Sequence, residues 1–331
     1  FPICGGGLNA MLGTECMNDL LNNIVFNSKD DAIKAKQGGT KLAKTAGVNL
    51  SFTIKIGGKK WQFKPSYLDK PKGIRKSKTV KELVKTVADF GKATLKGATD
   101  HENLGEVVAS CIGLAISNKN DSLVHTPNVE FVEVSKNGRP GIRAASEYLP
   151  PEQFKPFEYV VKDAVKDTHP NAEIRSVTLK FSDEKIAPTV TPNKKGELVG
   201  TVYIDDPKQK AAISEGIALN MLFGNADVNA KGNLGIGADG TVGAIDFGHA
   251  FNNLIHEDGL LAQKLGGGGV HHENGILDFI NRGELLGGKS KLWRDYEGMI
   301  PSKEFAAALH KIAGNEAEIR AGMQNACDKM L

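Results

Sequence analysis

The chain has 331 residues, a formal net charge of +3, and 40% hydrophobic and 24% charged residues. These are the values of a globular protein long enough for two lobes, and they exclude disordered and fibrous classes. No apolar run approaches the roughly 20 residues a membrane helix needs, the longest being VVASCIGLAI at 107–116, so an integral membrane protein is not expected.

Four cysteines (Cys4, Cys16, Cys111, Cys327) lack C-x-x-C spacing, which argues against zinc and for free thiols in a reducing compartment. The N-terminus FPICGGGLNAM has no basic region before an apolar core and no initiator Met. It reads as a trimmed or truncated chain without a signal peptide, and a cytoplasmic location is the expectation.

In chain order, TECMNDLLNNIVF (14–26) has helical apolar spacing, with Thr14 as N-cap. NLSFTIKI and KKWQFKP flank Gly57–Gly58 as a β-hairpin that Pro65 closes. Residues 55–96 are lysine-rich against three acids. This block is either a solvated face or an anion surface suited to inositol polyphosphate, phosphoinositide or an anionic membrane. It lacks interleaved aromatics, so nucleic acid is not an expected partner. Two helical patterns follow, at 79–95 and 102–116, and then a strand pair, NVEFVEV and GIRAASEYL.

Pro150–Pro151 mark a change, after which helices are expected to dominate. PKQKAAISEGIALNMLFG (207–224) is a helix leading into a hairpin of NLGIG and TVGAIDF around Ala238–Asp239–Gly240. The tail 301–331 reads as one or two more helices, and 265–275 as a glycine-rich loop. The expected organisation is a two-lobed α+β protein: a β-rich N-lobe over 1–149, a mainly helical C-lobe over 150–331, and a site at the lobe junction.

The candidate chemistry clusters in GNADVNAKGNLGIGADGTVGAIDFGHAF (224–251). Mg²⁺ prefers carboxylate and amide oxygens, and a hairpin brings Asn233 and Asp246 face to face at its outer ends. Asp227 lies just before, within reach of an incoming hydroxyl. A phosphate-binding cation is supplied by Lys64 at a strand end. Glu106 on the helix that follows is its expected positioning acid, and Glu102 on the same helix competes for that role. Ser146, Glu147, Tyr148 and Leu149 form a strand running into a proline turn. Their backbone groups suit an adenine edge, with Tyr148 or Leu149 covering its face.

Taken together, WQFKP, GEVVAS-IGL, ASEYLP, LNMLFGNADVNAKGN and IDFGHAF resemble the atypical kinases of the phosphatidylinositol 3-/4-kinase and HipA-like superfamily over about residues 45–255. The resemblance implies a bilobal protein-kinase-like fold using ATP with Mg²⁺ or Mn²⁺. It implies that Lys64 contacts the nucleotide phosphates, Glu106 orients Lys64, Asp227 is the base, and Asn233 and Asp246 hold the metal. The acceptor it implies is a protein hydroxyl or an inositol lipid. The chain also resembles, less specifically, divergent effector kinases that bacterial pathogens deliver to the host cytosol.

Three departures stand out. The family spaces its catalytic Asp and metal Asn by five residues, whereas Asp227 and Asn233 are six apart, with Gly232 as the surplus. The family's Arg and His are replaced by Val228 and Asn229. A glycine-rich phosphate loop is missing, since 36–41 and 45–52 both fit poorly. A pseudokinase, a phosphoinositide kinase and a nucleotidyl transferase are therefore the alternatives. His249 and Lys231 are further positions near the site, each with a structural role as its competing reading.

Overall fold

The computed structural model describes residues 24–25, 34–35, 43–44, 52–56, 59–64, 66, 99–136, 139–170, 173–225, 228–248, 250–251, 295–300 and 302–330. The chain divides into two compact units. One comprises Phe1–Val108, Asn128–Tyr148 and Asn325–Leu331, the other Ala109–Pro127 and Leu149–Gln324. The helix Thr99–Ser117 gives its first half to the first unit and its second half to the second.

The first unit is built on a five-stranded antiparallel sheet in the order Ala43–Lys44, Phe52–Ile56, Lys59–Phe63, Arg139–Glu147, Val129–Lys136. The expected hairpin is present, with Ile56 opposite Lys59 at its closed end. Trp61 and Phe63 alternate with exposed or half-buried neighbours, the period-2 signature of a strand with one face on a core. Of the helix expected over 14–26, Ile24–Val25 is instead a strand paired with Lys34–Ala35, and the rest lies outside the described residues. So do the helix expected over 79–95 and the glycine-rich 265–275.

How the helix Thr99–Ser117 docks follows from where the sheet stops. Pairing of Lys59–Phe63 with Arg139–Glu147 ends at Phe63 opposite Ala145, and Lys64 N–H reaches one residue further, to Ala144 C=O at 2.9 Å. Beyond that, Ile142 turns its backbone groups the same way as Ala144, since strand residues alternate. Buried backbone groups must be satisfied, and the helix does this with side chains. Asp100 accepts from Ile142 N–H at 2.8 Å, and Asn103 donates to Ile142 C=O at 2.9 Å. Asp100 also accepts from Ser66 Oγ at 2.9 Å. Positions 100, 103 and 106 share one helix face, so this grip brings Glu106 to the strand end where Lys64 sits.

The second unit is α+β as well. Among the described residues its helices are the second half of Thr99–Ser117, Phe157–Val165, Pro207–Leu222, Lys303–Ala313 and the first part of Glu316–Met330. Two four-stranded sheets accompany them. One has the order Thr189–Pro192, Leu198–Ile204, Ile174–Phe181, Tyr296–Glu297, the other Val124–His125, Val242–Ala244, Leu234–Ile236, Lys155–Pro156. The first sheet and the helix Phe157–Val165 are additions to the sequence reading.

Helix Pro207–Leu222 forms where its signals predict. Asp206 caps it by accepting from Gln209 N–H, and proline takes the first turn. Every residue from Ala212 to Met221 is buried, as expected of a helix surrounded by protein. Among them, Glu215 is satisfied by Lys311 at 2.8 Å, Ser122 Oγ at 3.2 Å and Leu123 N–H at 3.3 Å. Among the described residues, no helix is long and apolar enough to cross a membrane.

Candidate functional site

Each unit carries one part of the predicted constellation. In the first, Lys64 Nζ forms an ion pair with Glu106, and the two side chains are only 12% and 1% exposed. The lysine backbone is held on both sides: its N–H donates to Ala144, and its C=O accepts from Arg143 Nη1 at 3.3 Å. Arg143 is itself buried. Lys64 thus sits on a rigid strand end, with a carboxylate fixed against its ammonium by a helix that is itself locked to the sheet. Glu102, the competing acid, is half-buried on the same helix.

Ser146 and Glu147 belong to the strand Arg139–Glu147, opposite Gln62 and Trp61. Two backbone donors in the segment expected to meet an adenine edge are engaged within the fold. Glu147 N–H donates to Asn128 C=O at 2.8 Å and Tyr148 N–H to Lys60 C=O at 2.9 Å, so sheet formation uses both donors. The Tyr148 ring lies under Lys60 Nζ at 4.0 Å, and its hydroxyl is 3.3 Å from Thr53 Oγ1. Leu149 belongs to the second unit, where its Cδ1 lies against Gly243.

In the second unit, the hairpin Leu234–Ile236 with Val242–Ala244 extends to its open end through Ile245 N–H donating to Asn233 C=O at 2.9 Å. Asn233 and Ile245 therefore face one another, with Asp246 next along. The closed end is organised by Asp239, whose Oδ1 accepts from Thr241 Oγ1 at 2.5 Å and Thr241 N–H at 3.0 Å. Those two bonds hold the Asp239 carboxyl below its ordinary range. Gly240 takes φ 81° in the turn.

Gly235 and Gly243 are paired across the hairpin because the ring of Phe154 lies over them. A Cβ on Gly243 would meet Phe154 Cδ2 at 2.6 Å and Gln153 C=O at 2.9 Å. Neither can retreat cheaply. Gly243→Ala is therefore expected to destabilise the chain by about 1–3 kcal/mol through overpacking, read as a lower midpoint in urea denaturation. On its other side, the hairpin packs closely on the buried helix through Gly216, whose Cβ would meet Leu234 and Val242 at 3.2 and 3.3 Å.

The loop 229–233, which carries Gly232, is held by its own hydrogen bonds. Asn233 N–H donates to Asn229 C=O at 3.1 Å, and Gly232 N–H to Asn229 Oδ1 at 2.8 Å. The segment is thus a single helical turn capped by Asn229. The buried Asp295 supports the turn by accepting from Ala230 N–H at 3.3 Å. Val228 is 2% exposed and belongs to the core. Lys231 reaches Glu158 at 3.5 Å, and its C=O accepts from Glu158 N–H. Asp227 and His249 lie outside the described residues.

Asp246 is one of two non-glycine residues with positive φ among those described, at 63°, and Phe251 is the other, at 56°. A hydrogen bond from Asn225 Nδ2 at 3.2 Å holds Asp246 C=O. Phe247 packs edge-on against Phe223, with centroids 5.4 Å apart, and Phe251 contacts the same ring at 5.7 Å. Asn225, Asn229 and Asp295 are the residues that sequence reading left without a role. Only Asn225 and Asn229 carried a signal, through their places in the NADVNAKGN motif.

As donors, Asn233 and Asp246 supply an amide and a carboxylate oxygen, the hard ligands that Mg²⁺ and Mn²⁺ take. Among the described residues there is no cluster of three or more His, Cys, Asp or Glu side chains fit to hold a metal.

Comparison with known proteins finds no matching family model and no matching curated protein. Among solved structures, the chain is similar to the Helicobacter pylori proinflammatory kinase CtkA, with 13% identity and a TM-score of 0.36 over 88% of this chain and 97% of that one. A likeness of that degree fixes neither fold nor activity.

Proposed function

We propose that the chain is an ATP-dependent phosphotransferase of the atypical kinase type, with a protein hydroxyl as the favoured acceptor. The observation that carries this reading is the buried Lys64–Glu106 pair. Burying an ion pair rarely stabilises a fold more than packed apolar side chains would. A pair held this firmly and this deeply is better explained by chemistry than by stability.

In this reading the Lys64 ammonium binds ATP phosphate oxygens, and Glu106 holds it in one orientation. Asn233 and Asp246 would hold a divalent ion, whose positive charge would offset that of the phosphates. Asp227 is the residue assigned to accept the hydroxyl proton. Leu149 and the carbonyls of Ser146–Leu149 remain the candidates for the adenine edge. The basic block 55–96, most of it outside the described residues, is assigned to an inositol polyphosphate or anionic lipid surface. A cytosolic setting suits these substrates.

The test is transfer from [γ-³²P]ATP with Mg²⁺ or Mn²⁺, with the chain itself and phosphoinositide vesicles both offered as acceptors. Label on protein supports the reading, and label on lipid alone moves the acceptor to the inositol ring. Nucleotide binding without transfer makes the chain a pseudokinase, and label from [α-³²P]ATP makes it a nucleotidyl transferase.

A further inference from the structure

We propose that Asn225 is a positioning residue for Asp246, and that with Asn220 it forms an amide relay fixing the metal-loop backbone to the end of the helix Pro207–Leu222. This rests on the reading of Asp246 as a metal ligand.

The relay is fully buried, with Asn220 1% and Asn225 0% exposed. Asn220 Nδ2 donates to Gly216 C=O at 2.9 Å, one turn back in its own helix. That fixes the amide's orientation and turns Asn220 Oδ1 outward, where it accepts from Asn225 Nδ2 at 2.8 Å. Asn225 N–H donates to Asn220 C=O at 2.9 Å. The same Nδ2 group donates its second hydrogen to Asp246 C=O at 3.2 Å. An amide nitrogen has two donors, and both are used here on acceptors from different segments.

What Asn225 holds is a residue in the left-handed region, at φ 63°, which a non-glycine residue keeps where its surroundings over-determine it. At the other end of the same loop, Phe251, at φ 56°, donates its N–H to Phe223 C=O at 2.8 Å. Both left-handed residues of the loop 246–251 are thus tied to the segment 220–225, one by a side-chain amide and one by a carbonyl. Between them, Phe247 packs on Phe223. The helix end is therefore the template on which the loop takes its shape, and Asn225 is its contact with the ligand-bearing residue. Outer-shell partners of this kind commonly contribute 10- to 100-fold in metal affinity.

The test uses full-length wild type, Asn225→Asp, Asn225→Ala and Glu215→Gln. Asn225→Asp keeps the size but removes both donors, and Glu215→Gln perturbs the same helix away from the loop. Mn²⁺ binding is followed by electron paramagnetic resonance with a non-hydrolysable ATP analogue, and melting is measured without metal. Both Asn225 variants are expected to need roughly 10-fold more Mn²⁺ for half-saturation. Glu215→Gln is expected to lower the melting temperature while leaving Mn²⁺ affinity at the wild-type value.

Wild-type Mn²⁺ affinity in folded Asn225→Asp overturns the proposal. So does a fall in Glu215→Gln matching that in the Asn225 variants, since the role would then be merely structural. If Asn225→Ala does not fold, Asn225→Asp decides alone. If wild type with the analogue binds no Mn²⁺, the metal-site reading fails, and the positioning role falls with it.

Discussion

Asp246→Asn is expected to leave the fold intact and to reduce phosphoryl transfer by about 100- to 1000-fold, the range seen when one preorganised charge-stabilising group is removed. The two effects separate because the residue does two jobs with different atoms. Its backbone, at φ 63°, is held through its carbonyl by Asn225, and asparagine enters the left-handed region as readily as aspartate. The residue is half-buried and follows Ile245, which pairs with Asn233 at the open end of the hairpin; in the proposed reading its carboxylate would supply the charge a divalent ion requires. Asn keeps the first and loses the second. Asp246→Ala loses both, since a Cβ with no polar group gains nothing locally in that conformation, and it should cost a further ~1 kcal/mol of stability. Calorimetry and the transfer assay on the two variants check this. Full transfer by Asp246→Asn would remove Asp246 from the metal site. Equal melting of the two would remove the strain argument.

The parts of this site that sequence revealed are those encoded locally. Alternation around Gly57–Gly58 marked the hairpin that ends at Lys64, and helical spacing placed Glu106 on a helix that the structure bounds at Thr99–Ser117. The polar cap and proline of the helix Pro207–Leu222 lie next to one another in the chain. The strands Ile174–Phe181 and Leu198–Ile204 also carry a partial alternation in their burial, but the expectation that helices dominate after Pro150–Pro151 passed over it.

What stayed hidden needed distance information. Ile142 is satisfied by Asp100 and Asn103 from some forty residues away, and Ala230 by Asp295 from 65. Nothing in a single sequence marks such pairs. The engagement of the Glu147 and Tyr148 N–H groups was equally invisible, because a strand into a proline turn looks identical whether its donors face a ligand or a neighbouring strand. Gly232 was visible as a surplus but not as part of a turn, since that reading depends on Asn229 bonding to its own loop.

Glu106→Gln is expected to cost both stability and activity, and the companion double variant distinguishes a structural pair from a catalytic one. With Glu106 only 1% and Lys64 12% exposed, removing the carboxylate charge leaves an ammonium with little water to solvate it. Loss of one partner of a buried pair typically costs about 3–5 kcal/mol. Transfer should fall by at least 10-fold as Lys64 loses its fixed orientation. Replacing both, as Lys64→Met with Glu106→Leu, removes the isolated charge, and apolar replacements of buried pairs are commonly neutral or stabilising. The double variant should therefore recover most of the lost stability while remaining inactive. Urea denaturation of the wild type, Lys64→Met, Glu106→Leu and the double variant gives the coupling energy directly. If the pair were only a brace for the helix Thr99–Ser117, a double variant with recovered stability would recover transfer too, and that result would return Lys64 to an ordinary place at the end of a strand. Persistent inactivity at wild-type stability leaves the ammonium itself as what the reaction needs, held ready by a helix that Asp100 and Asn103 have already set in register with the sheet.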